Sequence, residues 1–493
     1  MFCTIKSACI HALSTISVTV EISATPGLPQ EIIIGLPDTV VKESRSRIKS
    51  ALLLSGFELP AMAYTINLAP ADVAKRSVSL ELAMCVALLT ITQHMPPTPN
   101  YCFMAGLSLD GSIEPVRQLL PLIHFYPNKA DTIFIISKQN MDDIAYLDGI
   151  QFKAIDHLSD CIELDTIPTD TVHFMPPEPI ANSMYTYDHV MGHTLAKQAC
   201  AYAVTGNHPL LFVGSPGIGK TMLMQQLPSL MPYLSNTQAI ENCCISAIQT
   251  ATPTYSVVPP YRTPHHTISF AGMIGGQNPP KPGEITLANH GILFLDELGE
   301  YQRSILETLR EPMEAKCIHI SRAGNSLSFP ANFLLVAAMN PCPCGYSLDT
   351  RHMCQCPPTK RSTYWQRLSK PFLDRFTICM VLNKPKTTNN SSISHTELVD
   401  MVSCGRDMAQ NRNPNGCLNH DLPANQLTEY CTFEPNALQL LEDTIQKDGL
   451  SFRARHRMIT LCRTIADCVQ AEHIVSKHVH MSLRLSQHGV LGG

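Results

Sequence analysis

The stretch that decides the fold is Gly214-Ser215-Pro216-Gly217-Ile218-Gly219-Lys220-Thr221, which fits the pattern G-x-x-x-x-G-K-[ST]. It follows an apolar run, Leu210 to Val213, of the kind that forms a buried strand. Glycines in such a loop let backbone N–H groups curl around phosphate oxygens without interference from a Cβ atom. Lys220 would reach the β- and γ-phosphates of a nucleotide, and the Thr221 hydroxyl would bind Mg²⁺. The sequence therefore predicts a strand–loop–helix site for ATP and Mg²⁺.

A second apolar run, Gly291 to Leu295, ends in the acidic pair Asp296-Glu297. Downstream of a phosphate-binding loop, Asp296 would complete the Mg²⁺ shell and Glu297 would polarise the attacking water. Acids after an apolar strand are also common as the start of a capped helix. The phosphate-binding loop upstream favours the catalytic interpretation.

A third apolar strand, Phe333 to Met339, ends at Asn340. A polar residue at this strand end would orient the water against the γ-phosphate. Because Pro341 follows, a turn-capping role for Asn340 stays open.

Two arginines are candidates for contact with the nucleotide. Arg375, in Leu373-Asp374-Arg375-Phe376, would serve as a finger that reaches the γ-phosphate of a neighbouring subunit. The alternative is that this segment only forms a surface salt bridge through Asp374. Arg453 begins a C-terminal helix and would touch nucleotide from a lid. Its rivals for that role are Arg455, Arg457 and Arg463.

The composition indicates a globular chain without a global basic field. Its 493 residues predict two or three domains, and the formal net charge is −5, so contact with DNA would need local loops or a pore. The 19 cysteines and the lack of a signal-peptide pattern predict a reducing, cytoplasmic setting. The longest apolar stretch, Leu80 to Ile91, is too short to span a bilayer.

The pattern along the chain predicts four segments. Residues 1–165 alternate strand-like and helical runs, which indicates an α+β domain. Residues 166–184 are rich in proline and are expected to form a linker. Residues 185–386 alternate strands and helices as in a parallel α/β sheet. Residues 387–493 begin with a polar stretch that lacks a clear pattern up to residue 425, and helical periodicity follows from Glu434.

The combined motifs resemble AAA+ ATPases, and more closely the magnesium-chelatase-like branch of the ComM/YifB type, which is associated with bacterial competence. The segments that carry the resemblance run through nearly the whole chain in the order of that family. They are Gly35-Leu36-Pro37-Asp38, Val41-Lys42-Glu43-Ser44-Arg45, Asn67-Leu68-Ala69-Pro70-Ala71-Asp72, Pro264-His265-His266-Thr267, Lys281-Pro282-Gly283-Glu284-Ile285, Phe294-Leu295-Asp296-Glu297-Leu298, Asn340-Pro341-Cys342-Pro343-Cys344-Gly345 and Thr464-Ile465-Ala466-Asp467.

The resemblance implies a three-part architecture. An N-terminal domain with a ribosomal-S5-domain-2-like, Lon-protease-like fold precedes a P-loop AAA+ core and a helical lid. It also implies a homo-oligomeric ring, a hexamer, that moves DNA by ATP-driven branch migration in recombination or natural transformation. The alternative is a chaperone-type ATPase that remodels a protein partner or aids metal insertion, as in magnesium chelatase.

A Lon-like N-terminal domain raises the question of proteolysis. In that alignment Ser79 falls at the position of a nucleophilic serine, but the position of the partner lysine falls near Leu120, where there is no lysine. A serine without a base is inert. The sequence therefore predicts a domain without a protease dyad.

Two loops of the core are expected to contact DNA in the pore. The first, Thr252 to Glu284, is rich in glycine and proline and contains Arg262 and Lys281. The second, Ser321 to Ser326, is a predicted hairpin turn, where Arg322 and the nearby Lys316 would meet phosphates without reading sequence. Solvated loops are the alternative. His265 and His266 are not expected to chelate a metal together, because adjacent side chains of an extended segment face opposite ways.

Four cysteines are arranged as C-x-C-x₉-C-x-C, namely Cys342, Cys344, Cys354 and Cys356. Four thiolates around tetrahedral Zn²⁺ would hold together a loop that has no core of its own. His352 lies within the loop as a substitute ligand. A thiol-rich loop without metal and a redox disulfide remain as alternatives.

Overall fold

The computed structural model describes residues 1–11, 13–73, 75, 77–176, 185–250, 254–276, 281–322, 325–349, 352–384 and 393–487. Its internal contacts divide the chain into two units. The first unit comprises Met1–Glu178, Ser235–Ser256 and Ser321–Phe329. The second unit comprises Pro179–Leu234, Val257–Ile320 and Pro330–Gly493.

The first unit is built on an eight-stranded mixed sheet with the order β10-β9-β8-β5-β1-β2-β4-β3. The strands, with the short ribbon β6–β7, are β1 (Phe2–His11), β2 (Ser14–Thr25), β3 (Gln30–Ile34), β4 (Ala63–Ala69), β5 (Tyr101–Met104), β6 (Gly106–Leu107), β7 (Ile113–Glu114), β8 (Ile133–Ser137), β9 (Gln151–Ile155) and β10 (Asp170–Thr171). The α-helices of this unit within residues 1–176 are α1 (Thr39–Leu54), α2 (Glu81–Ile91), α3 (Leu119–His124) and α4 (Met141–Ile144).

Helix α2 is the centre of the first unit, and it accounts for the long apolar stretch seen in the sequence. Nearly all of its residues are buried, because it packs against β1, β2 and α1. Its one acid, Glu81, is also buried, and it accepts hydrogen bonds from the Ser44 hydroxyl at 2.5 Å and from the backbone N–H of Leu107 at 3.0 Å. Arg47 completes the set as an ion-pair partner of Glu81. The buried charge is thereby compensated.

The segment predicted as a linker, residues 166–184, starts with chain that belongs to the first unit. Strand β10 pairs antiparallel with β9 at the edge of the large sheet, with Asp170 opposite Phe152. The Lys153 ammonium donates to the backbone oxygens of Leu164 and Ile167, at 2.6 and 2.8 Å, which fastens this segment. Part of the predicted linker is therefore an edge strand of the sheet, and the remainder, residues 177–184, lies outside the described residues.

The rest of the chain adds nine strands and fourteen α-helices among the residues that the structure describes. The strands are β11 (Leu210–Gly214), β12 (Tyr261–Arg262), β13 (Gly275–Gly276), β14 (Lys281–Pro282), β15 (Ile292–Leu295), β16 (Cys317–Arg322), β17 (Asn325–Pro330), β18 (Leu334–Met339) and β19 (Ile378–Leu382). The helices are α5 (Thr194–Gly206), α6 (Lys220–Gln225), α7 (Asn236–Ala247), α8 (Phe270–Ile274), α9 (Glu284–Leu287), α10 (Arg303–Thr308), α11 (Arg310–Ala315), α12 (Pro358–Gln366), α13 (Lys370–Leu373), α14 (His395–Arg412), α15 (Leu427–Tyr430), α16 (Pro435–Asp448), α17 (Phe452–Asp467) and α18 (Ser476–Leu485).

The second unit has a five-stranded parallel sheet with the order β12-β15-β18-β11-β19. Alternate residues of each strand face opposite sides, so Leu210 and Phe212 of β11 join one apolar cluster while Leu211 and Val213 join the other. Both faces are therefore covered, as the continuous apolar runs predict for a parallel sheet. The mixed α/β class with a parallel P-loop sheet is confirmed.

Helix α14 is a difference from the sequence prediction, which treated residues 387–425 as polar and without pattern. It begins at a capping box, in which the Ser394 hydroxyl accepts from the Glu397 N–H and the Glu397 carboxylate accepts from the Ser394 N–H. The buried face consists of Leu398, Val402, Gly405 and Ala409, and two of these residues are too small to give a strong apolar signal. The helix packs against α5 and α17.

Helix α7 follows α6 in the chain but belongs to the first unit, where it packs against α3. Three aromatic rings of the first unit pack together after α7. Their centroid distances are 5.5 Å between Tyr146 and Phe174, 5.0 Å between Phe174 and Tyr255, and 5.2 Å between Tyr146 and Tyr255. The Tyr255 hydroxyl also bonds Asn236 at 2.9 Å. None of the helices in the described ranges combines the length and apolar character that a bilayer-spanning helix needs.

Candidate functional site

The phosphate-binding loop connects β11 to α6 at the carboxyl edge of the parallel sheet. Gly219 precedes α6 with φ +99°, a conformation that side-chain-bearing residues rarely adopt. Lys220 is buried, and its ammonium donates to the backbone oxygens of Gly214 and Ser215 at 2.6 and 2.9 Å. Burial lowers the pKa of Lys220 to about 8, and the Asp296 carboxylate partly opposes that shift.

The ends of two neighbouring strands, β15 and β18, bring polar residues to this loop. The Thr221 hydroxyl donates to the Asp296 carboxylate at 2.9 Å, so the two predicted Mg²⁺ ligands lie side by side. The Lys220 ammonium also donates to the Asn340 side-chain oxygen at 3.0 Å. Residues separated by 120 positions in the chain therefore meet, because β11, β15 and β18 are neighbours in the sheet. The Thr221 and Asp296 oxygens are of the kind that Mg²⁺ prefers as ligands. The glycine-rich loop that ends at Lys220 suits the phosphates of a triphosphate.

Glu297 lies at a strained turn directly after Asp296. Its φ is +51°, which costs about 1–2 kcal/mol for a residue with a side chain, and its N–H donates to the Asp296 carboxylate at 2.9 Å. Its carboxylate is 57% exposed, so water has access to it. The strained backbone and the exposed carboxylate fit a base that must face a reacting water.

His266 contacts Glu297, and sequence reasoning missed this contact. The Nδ1 atom of His266 lies 3.3 Å from a carboxylate oxygen of Glu297. The ring of Tyr301 lies 6.4 Å away, and the Tyr301 hydroxyl donates to the backbone oxygen of Pro264 at 2.5 Å, which holds the segment in place. The signal available in the sequence is the Pro264-His265-His266-Thr267 segment, which carries part of the family resemblance and lies in the first predicted DNA-contacting loop.

The expectation that His265 and His266 face opposite ways is wrong. Their ring centroids lie 4.1 Å apart, because a turn at residues 266–267 replaces the extended backbone on which the expectation was based. His265 bonds the Thr267 hydroxyl at 2.8 Å through Nδ1, while His266 turns to Glu297. The two imidazoles therefore have separate partners.

A second histidine that sequence reasoning missed contacts the backbone of the phosphate-binding loop. His193 adopts φ +53°, and its Nε2 lies 3.0 Å from the backbone oxygen of Ile218. Burial is the main cause that lowers the pKa of His193. The neutral ring that this shift favours can donate to the Ile218 oxygen and fix the middle of the loop.

Arg375 and Arg453 meet at a different place, around Glu314. Arg375 is 10% exposed and donates to the Glu314 carboxylate at 2.8 Å and to the backbone oxygen of Pro371 at 2.5 Å. Arg453 lies 3.7 Å from the same carboxylate and is 68% exposed. The structure therefore brings the two predicted arginines together at a carboxylate outside the loop that holds Lys220.

The three rivals of Arg453 have partners of their own. Arg455 pairs with Glu442 at 2.5 Å, and Arg463 pairs with Asp467 at 2.9 Å. Arg457 is nearly buried and donates to the backbone oxygen of Phe376 at 2.7 Å; it also lies 3.9 Å from the Asp374 carboxylate, which is the salt bridge that the sequence left open. Arg453 is the most exposed of the four.

The predicted DNA-contacting loops are only partly within the described residues, which omit 251–253, 277–280 and 323–324. Arg262 forms a two-bond ion pair with Glu284 at 2.7 and 2.8 Å, and Lys316 pairs with Asp421 at 3.1 Å. Nothing is described for the side chain of Arg322. Of the predicted cations, Lys281 is exposed in β14.

Ser79 has the environment of a structural residue. It is fully buried, and its hydroxyl donates to the backbone oxygen of Ala8 at 2.7 Å. Leu120, the position that a partner lysine would occupy, is buried in α3. The buried hydroxyl is therefore shielded from solvent, and the absence of a protease dyad stays a prediction from the sequence.

Comparisons with known proteins agree with this geometry. Three family models match the chain: Magnesium chelatase, subunit ChlI, over residues 186–390; Subunit ChlI of Mg-chelatase over residues 20–140; and the C-terminal model of the same subunit over residues 393–485. The chain is 35% identical to the uncharacterized protein YifB of Escherichia coli K12, over 94% of this chain and 92% of that protein.

Two further relatives are similar over the same length. The YifB protein of Salmonella typhimurium is 34% identical over 94% of this chain and 92% of its own length. The competence protein ComM of Haemophilus influenzae is 33% identical over 94% of each chain. The motifs, the parallel P-loop sheet and these matches lead to the same conclusion: the chain belongs to the ComM/YifB family of magnesium-chelatase-like AAA+ proteins.

Proposed function

We propose that the chain is an ATP-dependent DNA motor, a hexameric helicase that promotes branch migration during homologous recombination or natural transformation. The observation that carries the ATPase part is the convergence of Lys220, Thr221, Asp296 and Asn340 within hydrogen-bond distance, with Glu297 beside them. The 33% identity to a competence protein supports the DNA part. The free cysteines are consistent with work in the reducing cytoplasm.

Within this proposal each residue has a defined task. The amides of residues 214–221 and the Lys220 ammonium would bind the phosphates, and Thr221 and Asp296 would hold Mg²⁺, which neutralises phosphate charge when bound. Glu297 would take a proton from the attacking water, and Asn340 would orient it. Arg375 would reach the nucleotide of the next protomer, and Arg453 would report lid position from the C-terminal helices.

The proposed domain arrangement follows the family. Residues 1–165 would form an S5-domain-2-like unit without proteolytic activity, residues 185–386 the AAA+ core and residues 387–493 the lid. The segments Thr252–Glu284 and Ser321–Ser326 would face the pore and meet DNA phosphates. Such contacts position the strand without reading its sequence, so activity is expected to fall with salt and to vary little with DNA sequence.

A protein-remodelling ATPase is the second candidate, because two of the predicted DNA-contacting cations, Arg262 and Lys316, are neutralised by Glu284 and Asp421. All three matching family models also describe a magnesium chelatase subunit. A remodelling enzyme would hydrolyse ATP without stimulation by DNA. Its turnover would respond instead to a folded protein partner.

The test is phosphate release by the full chain with and without forked DNA, together with strand exchange on a synthetic four-way junction. Glu297→Gln is expected to bind ATP and assemble but to lose at least about 100-fold in turnover. Lys220→Ala is expected to lose nucleotide binding. Glu300→Gln, an exposed acid on the same loop, is the matched control and should keep wild-type turnover. Hydrolysis without any response to DNA would favour the second candidate, and wild-type hydrolysis by Glu297→Gln would refute the assigned base.

A further inference from the structure

Four cysteine side chains converge in the loop between β18 and α12. The sulfur atoms of Cys342, Cys344, Cys354 and Cys356 all lie within 4.8 Å of one another. Individual distances are 3.3 Å between Cys342 and Cys344, 3.7 Å between Cys342 and Cys354, and 3.5 Å between Cys344 and Cys354. Bonds of about 2.3 Å to a tetrahedral Zn²⁺ would place sulfurs about 3.8 Å apart, so the cluster has the dimensions of a four-thiolate site.

The rest of the loop explains why a metal would be needed there. No helix or strand lies between Met339 and Pro358 in the part of this loop that the structure describes, so no backbone ladder holds it. The backbone N–H of Cys344 donates to the Cys356 sulfur at 3.4 Å, the kind of bond that stabilises a thiolate ligand. Sulfur atoms thus take part in three contacts that join the two C-x-C segments.

His352, the predicted substitute ligand, is not part of the cluster. Its side chain is 64% exposed, its Nδ1 lies 3.6 Å from the Asp349 carboxylate, and its ring lies 5.0 Å from that of Tyr346. The ligand set is consequently four sulfurs, which favours Zn²⁺ over metals that prefer oxygen ligands.

The loop is packed against the phosphate-binding loop. Gly345 has φ +85°, and a Cβ atom at this position would lie 2.5 Å from the Cδ atom of Pro216, so only glycine fits. On the other side, the Trp365 indole donates to the backbone oxygen of Pro341 at 3.0 Å. Pro341 directly follows Asn340. Whatever fixes the cysteine loop therefore also fixes Asn340 against the phosphate-binding loop.

We propose that Cys342, Cys344, Cys354 and Cys356 bind one structural Zn²⁺ ion that holds the loop after β18, and with it Asn340, against the phosphate-binding loop. The site binds metal through thiolates, and each thiol releases its proton as the metal binds. Zinc keeps four protein ligands here, so the ion is structural and takes no part in phosphate chemistry.

The direct test is the metal content of the full chain, purified without chelators and measured by inductively coupled plasma mass spectrometry. One zinc per chain is expected for the wild type, and about none for Cys354→Ser/Cys356→Ser. Cys404→Ser is the matched control, since Cys404 is a partly exposed thiol in α14 outside the cluster. It should keep one zinc.

A second measurement keeps the test decisive if the double variant fails to fold. Wild-type protein loaded with Co²⁺ in place of zinc is expected to show the intense visible bands and the near-ultraviolet sulfur-to-metal bands of tetrahedral cobalt thiolate. In limited trypsin digestion, metal removal should speed cleavage at the exposed Lys360 and Arg361, which follow the loop. A metal-free wild type with four alkylatable thiols, or with disulfides among these cysteines, would overturn the proposal.

Discussion

At the level of single residues, the contact between His266 and Glu297 leads to a direct test. Loss of a hydrogen bond to a charged group costs about 1.5 kcal/mol or more, which corresponds to about tenfold in rate. His266→Ala is therefore expected to lower turnover about tenfold while the Kd for ATP stays near the wild-type value, because the ring contacts Glu297 and not the phosphate-binding loop. Stopped-flow phosphate release and titration with a fluorescent ATP analogue measure the two quantities.

The neighbouring ring supplies the control. His265→Ala removes the same side chain from an exposed position whose partner is the Thr267 hydroxyl, and it should leave turnover unchanged. If both variants lose activity equally, the effect comes from the loop as a whole. If His266→Ala weakens ATP binding as strongly as it lowers turnover, the positioning role is wrong.

The residues of the site were predictable to different degrees. Lys220, Thr221, Asp296 and Asn340 each follow an apolar strand, and parallel strands bring such ends to one edge of a sheet, so their meeting could be foreseen. His266 could not, because its partner is set by a turn within a long loop that has no periodicity. The sharing of Glu314 by Arg375 and Arg453 is likewise a tertiary contact without a local signal.

At the level of elements, the packing of α14 on α5 depends on the absence of a side chain at Gly405. A Cβ atom there would lie 2.6 Å from the Thr205 methyl and 3.0 Å from the Cys468 sulfur. Gly405→Leu is expected to destabilise the second unit by about 1–3 kcal/mol through overpacking. Trp365, the only tryptophan, lies in this unit, so its fluorescence during urea unfolding reports the change.

Ser403→Leu is the control on the same helix, because Ser403 is exposed and a leucine there meets solvent. Its urea midpoint should stay close to that of the wild type. An equal loss in both variants would show that the leucine itself, and not the close approach of the helices, is responsible.

Some helices and strands were easier to predict from the sequence than others. The helical periodicity predicted from Glu434 is confirmed, because α16, α17 and α18 repeat apolar residues at three- and four-residue steps. Helix α14 was missed because Gly405 and Ala409 carry part of its contact surface. Strand β10 was missed because prolines around it resemble a linker.

At the level of the whole molecule, buried histidines make stability depend on pH. His208 is fully buried, and burial lowers its pKa well below the usual value; burial also lowers the pKa of His420 to about 4. Their rings lie 5.6 Å apart, and His208 bonds the Thr464 hydroxyl at 2.7 Å. Lys316, His456 and Arg457 near His420 lower its pKa further, whereas Asp421 opposes that shift.

Stability is therefore expected to fall as the pH drops from about 6.5 towards 4. In this window the histidines of the unfolded chain bind protons, whereas the buried histidines of the folded chain stay neutral. The free energy of unfolding therefore falls by about 1.4 kcal/mol per pH unit for each buried imidazole. Urea midpoints followed by Trp365 fluorescence at pH 7.5, 6.5 and 5.5 measure the slope. His208→Gln should reduce it, whereas His352→Gln, at an exposed position, should not. A flat profile between pH 7.5 and 5.5 would contradict the prediction.

A second whole-molecule prediction concerns the arginine that would act between protomers. Arg375→Ala and Glu297→Gln are each expected to lose most of the turnover. Mixed before assembly, they should regain part of it, because some interfaces then pair an intact Arg375 with an intact Glu297. Phosphate release across a series of mixing ratios checks this. No recovery at any ratio would place the action of Arg375 within its own chain.

The division of the chain into two units has a practical consequence for the design of truncated fragments. The backbone passes from one unit to the other five times, and helix α7 is encoded inside the stretch that otherwise builds the nucleotide-binding half. A fragment that starts at residue 185 would carry α7 without α3, the helix on which it rests, and would leave its apolar side bare. Fragments made by simple truncation are therefore expected to aggregate. Point substitutions in the intact chain are the better way to study each unit.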